Sequence, residues 1–258
     1  MKLSFKPFTL QLYEQIGTTL YKEVVFVELE HEGITGIGEA APSERLGEST
    51  NSIMKYFAMC EEAFLHQEFD PEKMFAIIEK SGKGNYAAKA AIDVAVNDWM
   101  AKKRNIPLWK LFKLSHAKVP NSTITITGST VEEFEKKIRE AKDFPILKLR
   151  LGFQNDIKII KVIREITSKP IYVDADEGWS PKEVALEKIL LLQQQGIEYL
   201  EQPLVAIDIE GMRWLKKRVK IPIIADESYI AVHDLVALKG VFDGVNIKLM
   251  KCGGMLRA

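Results

Sequence analysis

The stretch PIYVDADEGWSPKEVALEKILLLQQQGIEYLEQPL, residues 170–204, decides the fold. PIYVDADEG reads as a short β-rich strand, SPKEVALEKILLLQQQG as a helix and IEYLEQPL as a second strand. Strand, helix and strand joined by short connections form a crossover unit, which commits the two strands to lie parallel. The same alternation continues on both sides. NSTITIT, ILKLRLG, IPIIADES and GVNIKLMKCGG read as further strands, separated by the helical patterns TVEEFEKKIREAKDF, QNDIKIIKVIREIT, DIEGMRWLKKRV and AVHDLVALKGV. Six strands at an even spacing favour a (β/α)8-type TIM barrel over an open doubly wound sheet.

Residues 1–115 follow a different plan. LSFKPFTLQL and EVVFVELEHEGITGIGEAA alternate as strands, with EGITG as a turn, and three helical patterns follow between Ser49 and Leu114. The expected organisation is an N-terminal α+β capping domain over 1–115 and a barrel domain over 116–258. A closed barrel needs two more strand–helix units, roughly 50 residues, so the barrel is expected to be truncated at its C-terminal end and to supply about six strands.

Composition excludes several classes. The 36 basic residues balance 36 acidic ones, so no global field favours nucleic acid or an anionic membrane. No apolar run is long enough to span a bilayer, and Pro7 within the alternating start argues against a signal peptide. Cys60 and Cys252 are far apart and lack metal-ligand spacing, which fits a reducing, cytoplasmic location. The four histidines are dispersed.

The strand ends carry the chemistry. In LKLRLG, residues 147–152, Lys148 and Arg150 share one face of a strand and the leucines share the other. Two cations on a partly buried face need an anion. Lys148, Asp174, Glu201, Asp226 and Lys248 lie 26, 27, 25 and 22 residues apart, one strand–helix unit per step. In a barrel they converge at the mouth. Three carboxylates so placed raise one another's pKa unless a cation neutralises them, and a hard divalent ion such as Mg2+ suits oxygen ligands. The alternative is a network of Asp/Glu to Lys/Arg pairs without metal.

Taken together and in order, YVDADEGW, YLEQPL, PIIADES and VNIKLMKCGG resemble the enolase superfamily, specifically its muconate-lactonizing-enzyme subgroup. The resemblance covers essentially the whole chain and is closest to dipeptide epimerases acting on peptides such as L-Ala-D/L-Glu. It implies Mg2+ held by Asp174, Glu201 and Asp226, and Lys248 as the acid/base on one face of the substrate. Lys148 matches the first lysine of a Lys-x-Lys motif. The implied reaction removes a proton alpha to a carboxylate through an enediolate. Cycloisomerase or o-succinylbenzoate-synthase-like lyase chemistry, or a catalytically impaired metal-binding homologue, are the alternatives.

Two positions depart from that pattern. Arg150 stands where the second lysine is expected, and Asp176 where many members carry asparagine. Arginine stays protonated, so it donates hydrogen bonds but is a very poor base. Three readings stay open: exchange on the Lys248 face alone, an impaired enzyme, or an arginine acting as an unusual base. By resemblance the loops 13–21 and 43–50 close over the mouth, with Gln15, Ile16, Thr18, Leu46 and Asp176 against the substrate. The expected partner is a small-molecule carboxylate, in particular a dipeptide, with no nucleic acid and no membrane; a homo-oligomer is compatible with this reading.

Overall fold

The computed structural model describes residues 1–16, 19–65, 68–152 and 156–258. They form two compact units, Met1–Lys118 with Ile247–Ala258, and Val119–Asn246.

The first unit begins with an antiparallel sheet of β1 (Lys2–Ile16), β2 (Thr19–His31) and β3 (Ile34–Ala40) in chain order. Alternation places Val25, Val27 and Leu29 in the core. The β2–β3 turn is tighter than EGITG suggests. His31 pairs with Ile34, and Glu32 and Gly33 both adopt left-handed φ, as a two-residue hairpin requires. Three longer helices follow: α1 (Thr50–Leu65), α2 (Pro71–Lys80) and α3 (Tyr86–Lys103). The Asp70 side chain accepts from the Glu72 and Lys73 N–H groups at the start of α2, and Pro71 occupies the first turn, where no N–H is needed. A four-residue helix, α4 (Leu108–Leu111), completes the segment.

Small residues let α3 lie against β3. Ala87, Ala88, Ala91 and Ala95 are buried, and Gly36 and Gly38 face the helix. A Cβ on Gly38 would stand 1.9 Å from the Ala91 carbonyl oxygen, whereas one on Gly33 meets nothing within 4 Å. Gly38→Ala is therefore expected to cost about 3 kcal/mol or more through overpacking, and Gly33→Ala only about 1–2 kcal/mol of left-handed backbone strain. Urea unfolding of both variants checks this; equal losses would remove the packing explanation.

The second unit is a parallel sheet with strand order β4-β5-β6-β7-β8-β9, each strand beside its successor. In chain order it comprises β4 (Thr123–Ile126), α5 (Val131–Glu140), β5 (Ile146–Arg150), α6 (Asp156–Ile166), β6 (Ile171–Asp174), α7 (Lys182–Gln194), β7 (Tyr199–Glu201), α8 (Ile209–Lys216), β8 (Ile223–Ala225), α9 (Leu235–Leu238) and β9 (Gly244–Val245). This sequential order is that of a barrel. A doubly wound sheet would reverse it at a switch point. Leu147, Leu149 and Leu151 are buried in one core with Ile159, Ile160 and Ile163 of α6, as the alternation in LKLRLG requires. At the opposite strand ends, Lys169 Nζ donates to the carbonyls of Ala141, Lys142 and Phe144, and Arg164 to those of Gln195 and Gly196. These cations satisfy carbonyls that the ends of α5 and α7 leave without helical partners.

Two elements are shorter than their sequence patterns suggest. AVHDLVALKGV forms a single 3-10 turn, Val232–Asp234, and the four-residue α9, because Asp234 Oδ2 accepts from the Ile230 and Ala231 N–H groups and tightens the entry. GVNIKLMKCGG forms only the two-residue strand Gly244–Val245 and then coils into α10 (Leu249–Cys252). This last segment packs within the first unit, where the Met255 N–H donates to Asp93 Oδ1 of α3 at 2.6 Å.

Candidate active site

Pairing register assembles the site. Arg150 lies opposite Asp174 across β5 and β6, and Asp174 opposite Glu201 across β6 and β7. In-register residues of parallel strands point to the same face, so the three charges stand side by side. Asp226 follows directly after β8. Asp174, Glu201 and Asp226 are buried, with ligand oxygens all within 4.8 Å of one another. They form the one such acidic group among the described residues.

Lys148 stands among these carboxylates. Its Nζ is 3.0 Å from Asp174 Oδ2 and 2.7 Å from Glu201 Oε2. Burial works against the ammonium, but Asp174 and Glu201 together outweigh it and hold the lysine above its ordinary pKa. Burial pushes the Glu201 carboxyl up; Lys148 pulls it down, while Asp174 and Asp226 push it further up. Three hard oxygen donors this close fit a small divalent cation, which removes the mutual repulsion that otherwise favours protonation.

Several supporting groups are not evident from the sequence pattern. Asn246 Nδ2 donates to Glu201 Oε1 at 2.7 Å. Gln202 is fully buried, and its Oε1 accepts from the Asp226 and Ser228 N–H groups while Nε2 donates to Leu204 O and Ser228 Oγ. It fixes the backbone that carries Asp226. One turn of pleat below the acids, Tyr172 and Tyr199 stack at 4.0 Å, and burial together with Glu201 pushes the Tyr199 hydroxyl up to about 12. Asn246 and Gln202 sit beside chemistry-bearing residues, in VNIK and EQP, and that adjacency is the signal that could have found them.

Arg150 and Asp176, the two departures from the family pattern, meet each other. Arg150 Nη2 is 2.7 Å from Asp176 Oδ1, while the buried Arg150 Nε has no acceptor among the described residues. Burial opposes the guanidinium charge, but Asp176 and Asp174 outweigh it and raise its pKa further, so it stays protonated. Asp176 has left-handed φ, and its N–H donates to Asp174 Oδ1 at 3.1 Å.

Gly152 after β5 and Trp179 after β6 share one anchor. Asp156, fully buried, accepts from the Gly152 N–H, from Trp179 Nε1 at 2.7 Å and from Lys188 Nζ at 2.7 Å. Lys188 also lies over the Trp179 ring.

Of the other residues singled out by sequence, Lys248 precedes α10 and belongs to the first unit, as does half-buried Leu46 in the 3-10 turn Glu44–Leu46. Gln15 and Ile16 end β1 with side chains outside the described residues, and Thr18 lies outside them altogether.

Buried acids at successive strand ends, with a lysine among them, make a candidate divalent-metal site. A family model described as the mandelate racemase / muconate lactonizing enzyme N-terminal domain matches residues 6–112, and one described as enolase C-terminal domain-like matches 130–258. The chain belongs to this enolase-superfamily group, and is an isomerase of the racemase and epimerase type. It is 36% identical to the L-Ala-D/L-Glu epimerase of Bacteroides thetaiotaomicron, an alignment spanning 100% of this chain and 69% of that protein. A substrate-liganded L-Ala-D/L-Glu epimerase from Bacillus subtilis matches with a TM-score of 0.90 at 26% identity, over 98% of this chain and 76% of that one. A dipeptide epimerase from Enterococcus faecalis, complexed with Mg and L-Leu-L-Tyr, matches with a TM-score of 0.88 at 30% identity, over 99% of this chain and 76% of that one.

Proposed function

We propose that the protein epimerises dipeptides of the L-Ala-D/L-Glu kind by exchanging the proton alpha to the substrate carboxylate, with Mg2+ held by Asp174, Glu201 and Asp226. The observation that carries this reading is the convergence of those three buried carboxylates at the ends of neighbouring strands. The named relatives support the dipeptide as substrate, and they do not favour the cycloisomerase, lyase or impaired-homologue alternatives.

Each residue then has a task. Lys148 offers its ammonium to the substrate carboxylate and to the enediolate charge that grows there, a gain realised most fully as the proton leaves. When bound, Mg2+ supplies Lewis-acid stabilisation of that same charge. Lys248 takes or returns the alpha proton on one face. Arg150, held by Asp176, donates hydrogen bonds on the other face, where a guanidinium is a very poor base, so exchange is fast only on the Lys248 face and conversion between the two stereoisomers is slow. By the family resemblance, Gln15, Ile16, Thr18 and Leu46 would take part in substrate binding. No described helix is long and apolar enough to cross a membrane, and Cys60 and Cys252 are free and buried; a cytoplasmic setting agrees with both.

The test is deuterium incorporation from heavy water into L-Ala-L-Glu and L-Ala-D-Glu, followed by NMR with Mg2+ and with EDTA. Exchange that requires Mg2+ is expected; the absence of exchange across a dipeptide panel would overturn the assignment. Metal should also be visible without turnover. Mg2+ at 100 times its Kd is expected to stabilise the fold by about 2.7 kcal/mol relative to EDTA, read as a rise in Tm. An unchanged Tm across a Mg2+ titration would argue against the triad as the ion's site.

A further inference from the structure

We propose that Asn246 is a positioning residue that fixes the middle acid, Glu201, in its metal-binding orientation. The inference rests on the Mg2+ reading of the triad. Glu201 is held at both oxygens: Asn246 Nδ2 donates to Oε1 at 2.7 Å, and Lys148 Nζ to Oε2 at 2.7 Å. With one donor on each oxygen, the carboxylate can no longer rotate about its terminal bond, and its remaining lone pairs have a set direction. Asn246 is itself anchored, since its backbone N–H donates to the Ala225 carbonyl at 2.7 Å, carrying the β8–β9 pairing one residue beyond Val245.

The division between a cation and a neutral amide has a chemical reason. A second ammonium at Oε1 would compete with the metal for Glu201, whereas an amide orients the same oxygen and adds no positive charge beside the ion. Hydrogen-bond partners of metal ligands commonly control affinity in this way. The ion's identity sharpens the case. Mg2+ demands near-ideal octahedral geometry, while Ca2+ tolerates irregular coordination, so a Glu201 free to turn penalises Mg2+ more.

The test is calorimetric titration of the full chain, unaltered and as Asn246→Ala and Asn246→Ser, with Mg2+ and separately with Ca2+, without substrate. Both variants are expected to bind Mg2+ about 10- to 100-fold more weakly and to lose less affinity for Ca2+, so that the preference shifts toward Ca2+. A merely structural role leaves that preference where it is. Unchanged Mg2+ affinity, or equal losses for the two ions, would overturn the positioning role while leaving the metal site intact. Failure of both variants to fold would assign Asn246 to folding and also overturn it. If the unaltered chain bound no Mg2+, the metal reading itself would fall, a distinct outcome.

Discussion

Glu201→Gln is expected to abolish the Mg2+-dependent rise in Tm and to lower exchange of the alpha proton by about 10^3-fold or more, several kcal/mol of transition-state stabilisation. Glu201 is the central acid, level with Asp174 in the ladder and bonded by Lys148 and Asn246. The amide keeps its size but removes the charge. Its NH2 cannot face the Lys148 ammonium, so it must turn toward Asn246, whose own amide then has to flip to present Oδ1. In EDTA the fold should change little, since losing one of three crowded carboxylates relieves repulsion while weakening the Lys148 pair. Thermal melts with and without Mg2+, paired with deuterium exchange, separate these effects. Retained metal response and retained exchange together would show that the ion binds elsewhere.

Arg150→Lys is expected to raise proton exchange on the face opposite Lys248 by about 10^2- to 10^4-fold, the usual worth of a positioned general base. Epimerisation needs a proton to leave one face and return to the other, and a guanidinium exchanges protons poorly. The gain should be larger with Asp176→Asn added. An aspartate 2.7 Å from the present cation would hold a lysine there protonated, whereas asparagine would not. Following deuterium entry separately into both stereoisomers of one dipeptide, before and after each substitution, gives the answer. Equal exchange from both stereoisomers with Arg150 in place would make this arginine a working base.

Much of this is readable in the residues themselves. The alternation in LKLRLG is enough to place Lys148 and Arg150 on one face and three leucines in the core, because strand geometry leaves no other option. The even step between Asp174, Glu201 and Asp226 likewise fixes their neighbourhood once the strands are parallel and sequential. What escapes is set by contacts between distant backbones. EGITG reads as a turn, yet its Gly36 lies within β3, where it and Gly38 are required by α3, some 60 residues on. Asn246 looks like part of a strand, and its place two residues before Lys248 hints at the site, but its distance to Glu201 is what gives it a specific role. Asp176 reads as a departure from a pattern until Arg150 is found against it, so that the two are best understood as one change.

The anchor at Asp156 bears on how this scaffold can adapt. A single acid receives Gly152 from the loop behind Arg150, and Trp179 and Lys188 from the segment behind Asp176. Gly152 and Trp179 are thus tied to one buried point, and replacing Asp156 or reshaping the chain at either residue breaks a bond that serves both. Libraries aimed at new substrates would spend their diversity better on other loops, leaving this joint untouched so that the reacting groups keep their alignment while the surrounding pocket changes.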